Sequence, residues 1–165
     1  MYHALRGFTV NLVATAMVHA LELPGTRRLG EDRYHTVQPI YYPGFTVGGL
    51  VGEPGGLPAT LLLVLSIPAA TPTFWLTSTA FIVLLAMHLL YRMLTLPLEQ
   101  LLAQGTDLKT RAGGFYVADP FNKTARLRAA NSDWTMLRDR WEHSHLARAA
   151  LAMLRLILLV TAVAV

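Results

Sequence analysis

Two short motifs place an imidazole and a carboxylate at a spacing that supports acid–base or metal chemistry. His19-x-x-Glu22 and Glu142-x-x-His145 each hold the two side chains three residues apart, so that on a helix they share one face. Two such pairs are ingredients of a dimetal site in a four-helix bundle, and their ligand types would suit iron, manganese or zinc. A metal-free acid–base or substrate pocket explains the same motifs, and so does a structural polar network. The residue types leave all three interpretations open.

Three further ionisable residues, Glu53, His88 and Arg155, stand in otherwise apolar segments. Ionisable side chains are costly inside a membrane span and usually face an interior where they pair, so each is a candidate functional residue. The structural alternatives are that His88 hydrogen-bonds a neighbouring helix and that Arg155 is the counter-ion of Glu53.

The candidate residues fall into two groups by expected role. Those that would abstract a proton, or hold a metal if one binds, belong to the two motifs: His19, Glu22, Glu142 and His145. Those that would bind substrate are Glu53, His88, Arg148, Trp141 and Tyr42. Arg148 would stabilise developing phenolate charge. The interfacial aromatic belt of a membrane protein explains Trp141 and Tyr42 equally well.

Polar residues form one stripe on each of three helices when residues are placed 100° apart around the helix axis. The stripes consist of Asn11, Thr15, His19 and Glu22 on the first helix; of Thr77, His88, Tyr91, Arg92, Thr95 and Glu99 on the third; and of Trp134, Arg138, Trp141, His145, Arg148 and Arg155 on the last. The third stripe requires that Pro97 only kinks its helix. A helix exposed to lipid on all sides would not carry such a stripe. The pattern therefore indicates helices packed around a polar interior.

Four apolar segments would position these residues. A span needs about 20 mostly apolar residues to cross a hydrocarbon core of about 30 Å, and the candidate spans are residues 5–23, 43–70, 73–96 and 147–165. They predict an all-α integral membrane four-helix bundle that forms a single domain over residues 1–165. The last helix is expected to begin near residue 134, after good capping residues at 131–133. A long, irregular inner loop at 101–132 would join helices three and four.

Two of the four spans depart from a simple crossing. The first has only twelve residues between Arg6 and His19, and its alternative is a signal peptide cleaved near Val18-His19-Ala20. The second would be roughly 42 Å long as one straight helix, and glycines and prolines surround Glu53 within it. Broken backbone at membrane depth is tolerated only where protein or water covers it. We therefore expect a second helix broken by Gly and Pro, or a re-entrant stretch.

Charge distribution gives the expected topology. Ten of the fourteen Lys and Arg residues lie in the loop after the first segment and the loop before the last. Such loops stay on the cytoplasmic side during insertion, so both termini should lie outside and both long loops inside. This would place the polar site in the cytoplasmic half of the bundle, in a bacterial inner membrane.

Composition supports a membrane protein and excludes several classes. The chain is 53% hydrophobic and 15% charged, against roughly 25% charged residues in a soluble domain. It contains no cysteine, which excludes disulfides, thiolate metal sites and cysteine nucleophiles. Its net charge of +4 is explained by anionic lipid headgroups more simply than by nucleic acid.

Three blocks of residues resemble a known family. They are His19-x-x-Glu22-x-Pro24-Gly25, Gln38-x-x-Tyr41-Tyr42-Pro43-Gly44-Phe45 and Trp134-x-x-Leu137-Arg138-x-Arg140-Trp141-Glu142-x-x-His145-x-x-Arg148-Ala149. Together they resemble the small four-span bacterial membrane proteins of the anthrone oxygenase-like superfamily. Glu99 stands where that family has an Asn. The resemblance implies a four-helix bundle and, for a few members, oxidation of polycyclic aromatic anthrones without an evident redox cofactor.

The first functional hypothesis is therefore a membrane oxidoreductase that acts on a hydrophobic aromatic or quinone-like substrate. A non-enzymatic small subunit of a larger membrane complex is the second, and a small transporter or proton relay is the third. The cofactor is left open, with a non-haem metal as one option. The expected partners are the lipid bilayer and a hydrophobic small molecule, with a membrane-protein partner or a second copy of the chain as alternatives, and no nucleic acid.

Overall fold

A computed structural model describes the backbone of residues 2–102 and 133–165. Within these ranges the side chains outside the description are those of residues 2–8, 11–12, 15–16, 38–48, 50–51 and 99–100. The inner loop predicted at 101–132 lies almost wholly outside the described residues. All regular structure in the described ranges is helical and no strand occurs there, so the predicted all-α class is confirmed.

The described residues form five α-helices and one π-helical turn. They are α1 (Tyr2–Thr26), α2 (Glu31–Leu65), α3 (Pro72–Leu90), the π turn (Tyr91–Thr95), α4 (Leu96–Leu102) and α5 (Trp134–Ala164). Thr71 caps α3 by accepting from the Phe74 amide at 3.2 Å, and Pro72 occupies its first turn. Asp133 caps α5, and the hydrogen bonds from Thr135 hold the pKa of this exposed carboxylate below its usual range.

The four long helices pack as an antiparallel bundle. α1 contacts α2 and α5, and α3 contacts the same two helices. α1 and α5 run in opposite directions, because His19 meets His145 whereas the earlier residue Val13 packs near the later residue Ala152. The 27–30 turn and the ends of α4 and α5 that flank residues 103–133 therefore share one end of the bundle. α2 and α5 lie diagonally opposite each other, so contacts between them cross the interior.

Two helices are long and apolar enough to cross a membrane. They are the continuous stretch Pro72–Leu98 and α5, Trp134–Ala164. The same criterion selects neither α1 nor α2 within the described part of the chain. The long helices nevertheless expose large apolar side chains while burying ionisable ones such as Glu53 and Arg155.

The second helix differs from the expectation that Gly and Pro would break it near Glu53. α2 runs without interruption from Glu31 to Leu65. The buried Thr60 hydroxyl donates to the Gly56 carbonyl one turn earlier at 2.6 Å, as threonine side chains in helices commonly do. A Cβ on Gly56 would lie 3.3 Å from Leu84 and 3.5 Å from the Arg155 guanidinium. This glycine therefore permits close packing of α2 rather than a break in it.

The third helix continues past Tyr91 through the π turn. Leu96 donates its backbone N–H to the Tyr91 carbonyl, five residues earlier, and Pro97 follows with no N–H to donate. The wider turn shifts the helical register by about one residue while the chain remains helical to Leu102. Pro97 is thus accommodated, as the predicted stripe on this helix requires.

Two apolar clusters hold the bundle. The first, at mid-height, consists of Leu84, Met87 and Ala152, with Val13, Leu57 and Leu151 packed against them. The second, at the loop end, consists of Tyr34, Leu98 and Trp141, with Leu29, Leu102, Trp134 and Leu137 around them. The candidate functional residues lie between and beside these clusters.

Candidate functional site

The polar face of α5 meets ionisable residues from each of the other three long helices. Tyr34 and His19 lie against its first turns, Glu53 and His88 lie further along, and Thr60 lies beside Arg155. The interior therefore contains several polar contacts stacked along one helix. The polar stripes in the sequence predicted a polar interior of this kind, but they did not predict which residues pair with each other.

His19, Trp141 and His145 form what we call the imidazole cluster. The ring centroids of His19 and His145 lie 4.1 Å apart, and those of Trp141 and His145 lie 4.2 Å apart. The Trp141 ring also meets His19 edge to face at 5.3 Å. His19 from α1 and His145 from α5 are thus brought together, as the two motifs predicted, and a tryptophan ring contacts both.

Two features of the imidazole cluster would allow it to take part in acid–base chemistry. His145 donates its Nδ1–H to the Trp141 carbonyl at 3.0 Å, which leaves the Nε2 lone pair of the neutral ring as the basic nitrogen. The Trp141 Nε1–H is buried and has no acceptor among the described residues. A basic nitrogen and an unsatisfied donor from one helix turn therefore lie beside each other in the interior.

Glu53, His88 and Arg148 form a second group, the Glu53 triad. The fully buried Glu53 carboxylate accepts from His88 Nδ1 at 3.2 Å through one oxygen and from Arg148 through the other. The Arg148 guanidinium also lies over the Tyr91 ring, 4.9 Å from its centroid. Because α2 and α5 are diagonal, the pair of Glu53 and Arg148 crosses the centre of the bundle. Arg148 also lies within electrostatic range of His19 and His145, and so connects the triad to the imidazole cluster.

Arg155 does not pair with Glu53, contrary to the counter-ion interpretation. Its side chain is fully buried, and its NH2 group donates to the Thr60 hydroxyl at 3.0 Å. Glu53 is already paired with Arg148, seven residues earlier on α5. The physical reason is register: Glu53 and Thr60 are also seven residues apart, so Arg148 and Arg155 each meet one residue of the same α2 face.

Glu142 and Glu22 lie on the loop side of the two imidazoles, and Glu142 shares the contact of Tyr34 with Trp141. The Tyr34 hydroxyl donates to the buried Glu142 carboxylate at 3.1 Å, and Glu22 is within electrostatic range of Glu142. Glu142 and His145 therefore contact different partners, Tyr34 and His19, although they share a helix face. Among the residues that the structure describes, no three His, Asp or Glu side chains converge as metal ligands would. The dimetal arrangement proposed from His19, Glu22, Glu142 and His145 is not formed by these residues.

Several polar contacts were missed at the sequence level. Tyr34 and Thr60 were not singled out, and neither was Ser144, which accepts from Thr95 at 2.9 Å and donates to the Trp141 carbonyl. Tyr34 had a usable signal, because Gly30 followed by Glu31 and Asp32 is typical of a helix start. A helix that begins there carries Tyr34 on its first turn.

For two predicted residues the structure describes only the backbone. The backbones of Tyr42 and Glu99 lie in α2 and α4, and their side chains lie outside the described residues. No protein-family model, curated protein or solved structure matches the chain.

Proposed function

We propose that this chain is a membrane-embedded oxidoreductase of the oxygenase type that acts on a hydrophobic aromatic or quinone-like substrate. The observation that carries the proposal is the buried Trp141 N–H, which lacks an acceptor beside the His145 imidazole. A substrate carbonyl or hydroxyl oxygen would accept from this N–H, and an aromatic ring would stack with the three rings of the imidazole cluster. His145 Nε2 would then act as the general base.

The proposed setting is a four-span protein of the bacterial inner membrane, with both termini outside and the basic loops in the cytoplasm. The proposal is supported by exposed apolar side chains on all four long helices, such as Leu21, Leu62, Ile82 and Ile157, and by the burial of His19, Glu53, Glu142 and Arg155 within the bundle. This distribution is the reverse of a soluble protein and is typical of a bundle in lipid. A substrate soluble in the bilayer would enter from its surroundings without crossing water.

The proposed reaction has a defined balance. One ring CH2 group and one O2 molecule would give a ring carbonyl and one water, so that dioxygen is the oxidant and supplies both oxygen atoms. His145 would remove the first proton from carbon, and the resulting enolate would react with dioxygen. The Arg148 guanidinium would stabilise the negative charge that develops on the substrate oxygen. The resemblance to anthrone oxygenase-like proteins supports this reaction class as an expectation.

The test uses the detergent-purified protein with anthrone as the probe under air. The readouts are dioxygen uptake and the absorbance of the quinone product. We expect His145→Ala to abolish turnover while the protein stays folded, because the base is lost. His143→Ala is the matched control: His143 is exposed on the same helix and its Nδ1 donates to the Asp139 carbonyl, four residues earlier. Full activity of His145→Ala would refute the assignment.

A non-enzymatic subunit of a larger membrane complex is the second candidate. The observation in its favour is that both oxygens of the Glu53 carboxylate already have partners within the chain, as expected of a structural network. This candidate predicts that no variant of the imidazole cluster affects any turnover and that a partner protein copurifies from mild detergent. Retention of anthrone oxidation by the isolated chain would argue against it.

A further inference from the structure

The Arg155 guanidinium is buried with most of its hydrogen-bonding capacity unused. Its NH2 donates to Thr60 Oγ1 at 3.0 Å, and Thr60 in turn donates to the Gly56 carbonyl. Arg155 Nε and NH1 have no hydrogen-bond partner, and no carboxylate among the described residues forms an ion pair with this side chain. Arg155 is fully buried.

Burying a guanidinium with unsatisfied N–H donors costs free energy unless another group pairs with its charge and accepts its hydrogen bonds. A buried charge is stable only when it is paired and hydrogen-bonded, and an unsatisfied charged donor costs more than a neutral one. The single neutral hydroxyl of Thr60 does not neutralise the guanidinium. A hydrophobic residue of the same volume would avoid this cost, so the charge is explained best by a partner from outside the chain.

Charge balance around Arg155 points to a monoanion. The nearest buried carboxylate on α2, Glu53, is shared by Arg148 and His88. Two turns from Arg155, the Glu53 carboxylate is thus matched by the Arg148 guanidinium, and no described carboxylate balances the charge of Arg155. A ligand with one negative charge on oxygen would balance this charge and would accept from Nε and NH1 in the charge-assisted geometry that Arg favours.

The surroundings of Arg155 select a hydrophobic anion over a hydrated one. Gly56 lies against the guanidinium and against Leu84, and Leu84 belongs to the apolar cluster with Met87 and Ala152. We infer that Arg155 binds the ionised oxygen of a hydrophobic molecule, a phenolate, enolate or carboxylate, by donation from Nε and NH1. The inference rests on the proposed function only for an aromatic ligand; the charge of the ligand follows from Arg155.

Equilibrium binding tests this inference without any turnover. The probes are 2-naphthoate as an aromatic monoanion, its methyl ester as the neutral control, decanoate as a lipid-derived monoanion, and chloride. Binding to the purified wild-type protein is followed by quenching of tryptophan fluorescence and by the rise in Tm. We expect 2-naphthoate or decanoate to bind at least about tenfold more tightly than the methyl ester, as the loss of one charge-assisted hydrogen bond implies. The tighter of the two anions identifies the aromatic or the lipid source.

Variants then assign the effect to Arg155. Arg155→Met should lose the preference for the anion by about tenfold or more and should raise Tm in the absence of ligand, because an unpaired buried charge is removed. Arg140→Met is the control, since Arg140 is exposed on the same helix. A purely structural Arg155 would instead lower Tm when replaced and leave anion binding unchanged, and this result would overturn the inference.

The wild-type comparison keeps the inference falsifiable if Arg155→Met does not fold. Equal affinity for 2-naphthoate, decanoate and the methyl ester would overturn the inference. A rise in Tm with chloride and with none of the organic anions would also overturn it. These outcomes are distinct from failure of the proposed function. A wild-type protein that oxidises anthrone but does not prefer the anion would refute only the role of Arg155, whereas a wild-type protein that binds the anion but does not oxidise anthrone would refute only the enzyme.

Discussion

The contact between Glu53 and Arg148 joins the two diagonal helices of the bundle. The Glu53 carboxylate of α2 is fully buried between Arg148 of α5 and His88 of α3. A buried ion pair adds little net stability over well-packed apolar residues, because desolvation offsets attraction. Removing one partner is different, since it leaves the other charge buried and unpaired.

We therefore predict that Glu53→Gln destabilises the protein through the charge left on Arg148. The expected loss is about 3 to 5 kcal/mol in the free energy of unfolding, measured by denaturation of the detergent-solubilised protein followed by circular dichroism. The double variant Glu53→Gln/Arg148→Met should regain most of this loss. Glu31→Gln, at an exposed position on the same helix, should change stability little. A double variant as unstable as the single one would show that the pair is not the source of the effect.

At this scale the sequence predicted which residues are buried but not how they pair. Glu53, His88 and Arg155 were expected in the interior, and the structure places them there. The partner of Glu53 was not predictable from the stripes, because Arg148 and Arg155 share a face of α5 just as Glu53 and Thr60 share a face of α2. A shift of two turns along the helix axes would bring Arg155, instead of Arg148, opposite Glu53. Only the packing of the whole bundle sets that register.

The helices themselves are held at close distance where α3 meets α5. Ala152 packs against Leu84 and Met87 and is almost fully buried. A small side chain at this position lets the two backbones approach, as is common between membrane helices. The interface therefore leaves little room for added methyl groups.

Ala152→Leu should overpack this interface. We expect a loss of about 1 to 3 kcal/mol in the free energy of unfolding, measured by the same denaturation experiment. Ala150→Leu is the matched control, since Ala150 is exposed two residues away on α5 and its replacement should be close to neutral. Equal losses for both variants would mean that helix propensity or detergent binding, rather than packing of α3 on α5, determines the result.

The elements were predicted better by apolar length than by helix-breaking residues. The start of α5 at Trp134 and its Asp133 cap agree with the expected boundary. The break expected in α2 was wrong: the helix is continuous from Glu31 to Leu65, and Gly56 provides close packing to Leu84 and Arg155. Glycine and proline are weak determinants where tertiary contacts compensate for them. Such contacts involve α3 and α5 and are invisible in the local sequence.

Among the described residues, the bundle buries ionisable side chains such as Glu53 and Arg155 and exposes large apolar side chains on all four long helices. Pro72–Leu98 and α5 are apolar over a long window. α1 and α2 contribute the buried side chains His19 and Glu53 to the interior. An average over a window cannot distinguish a polar residue that faces the bundle from one that faces lipid. The four-span arrangement is consequently tested best by accessibility.

The absence of cysteine from the chain makes that measurement direct. We predict that Glu31→Cys, at the exposed first residue of α2, reacts with a membrane-impermeant maleimide only in inside-out vesicles. Ala69→Cys, exposed between α2 and α3, should react only in right-side-out vesicles, because an antiparallel bundle places these two positions at opposite ends. Leu62→Cys, on the exposed apolar surface of α2, is the control that lipid should shield from both sides.

Reaction of the first two cysteines from the same side would contradict a spanning α2, and with it the entry of a hydrophobic substrate from the bilayer. Opposite-sided labelling, in contrast, would place the Glu53 triad and Arg155 within the membrane, where a buried unpaired guanidinium has the greatest need of an anionic ligand.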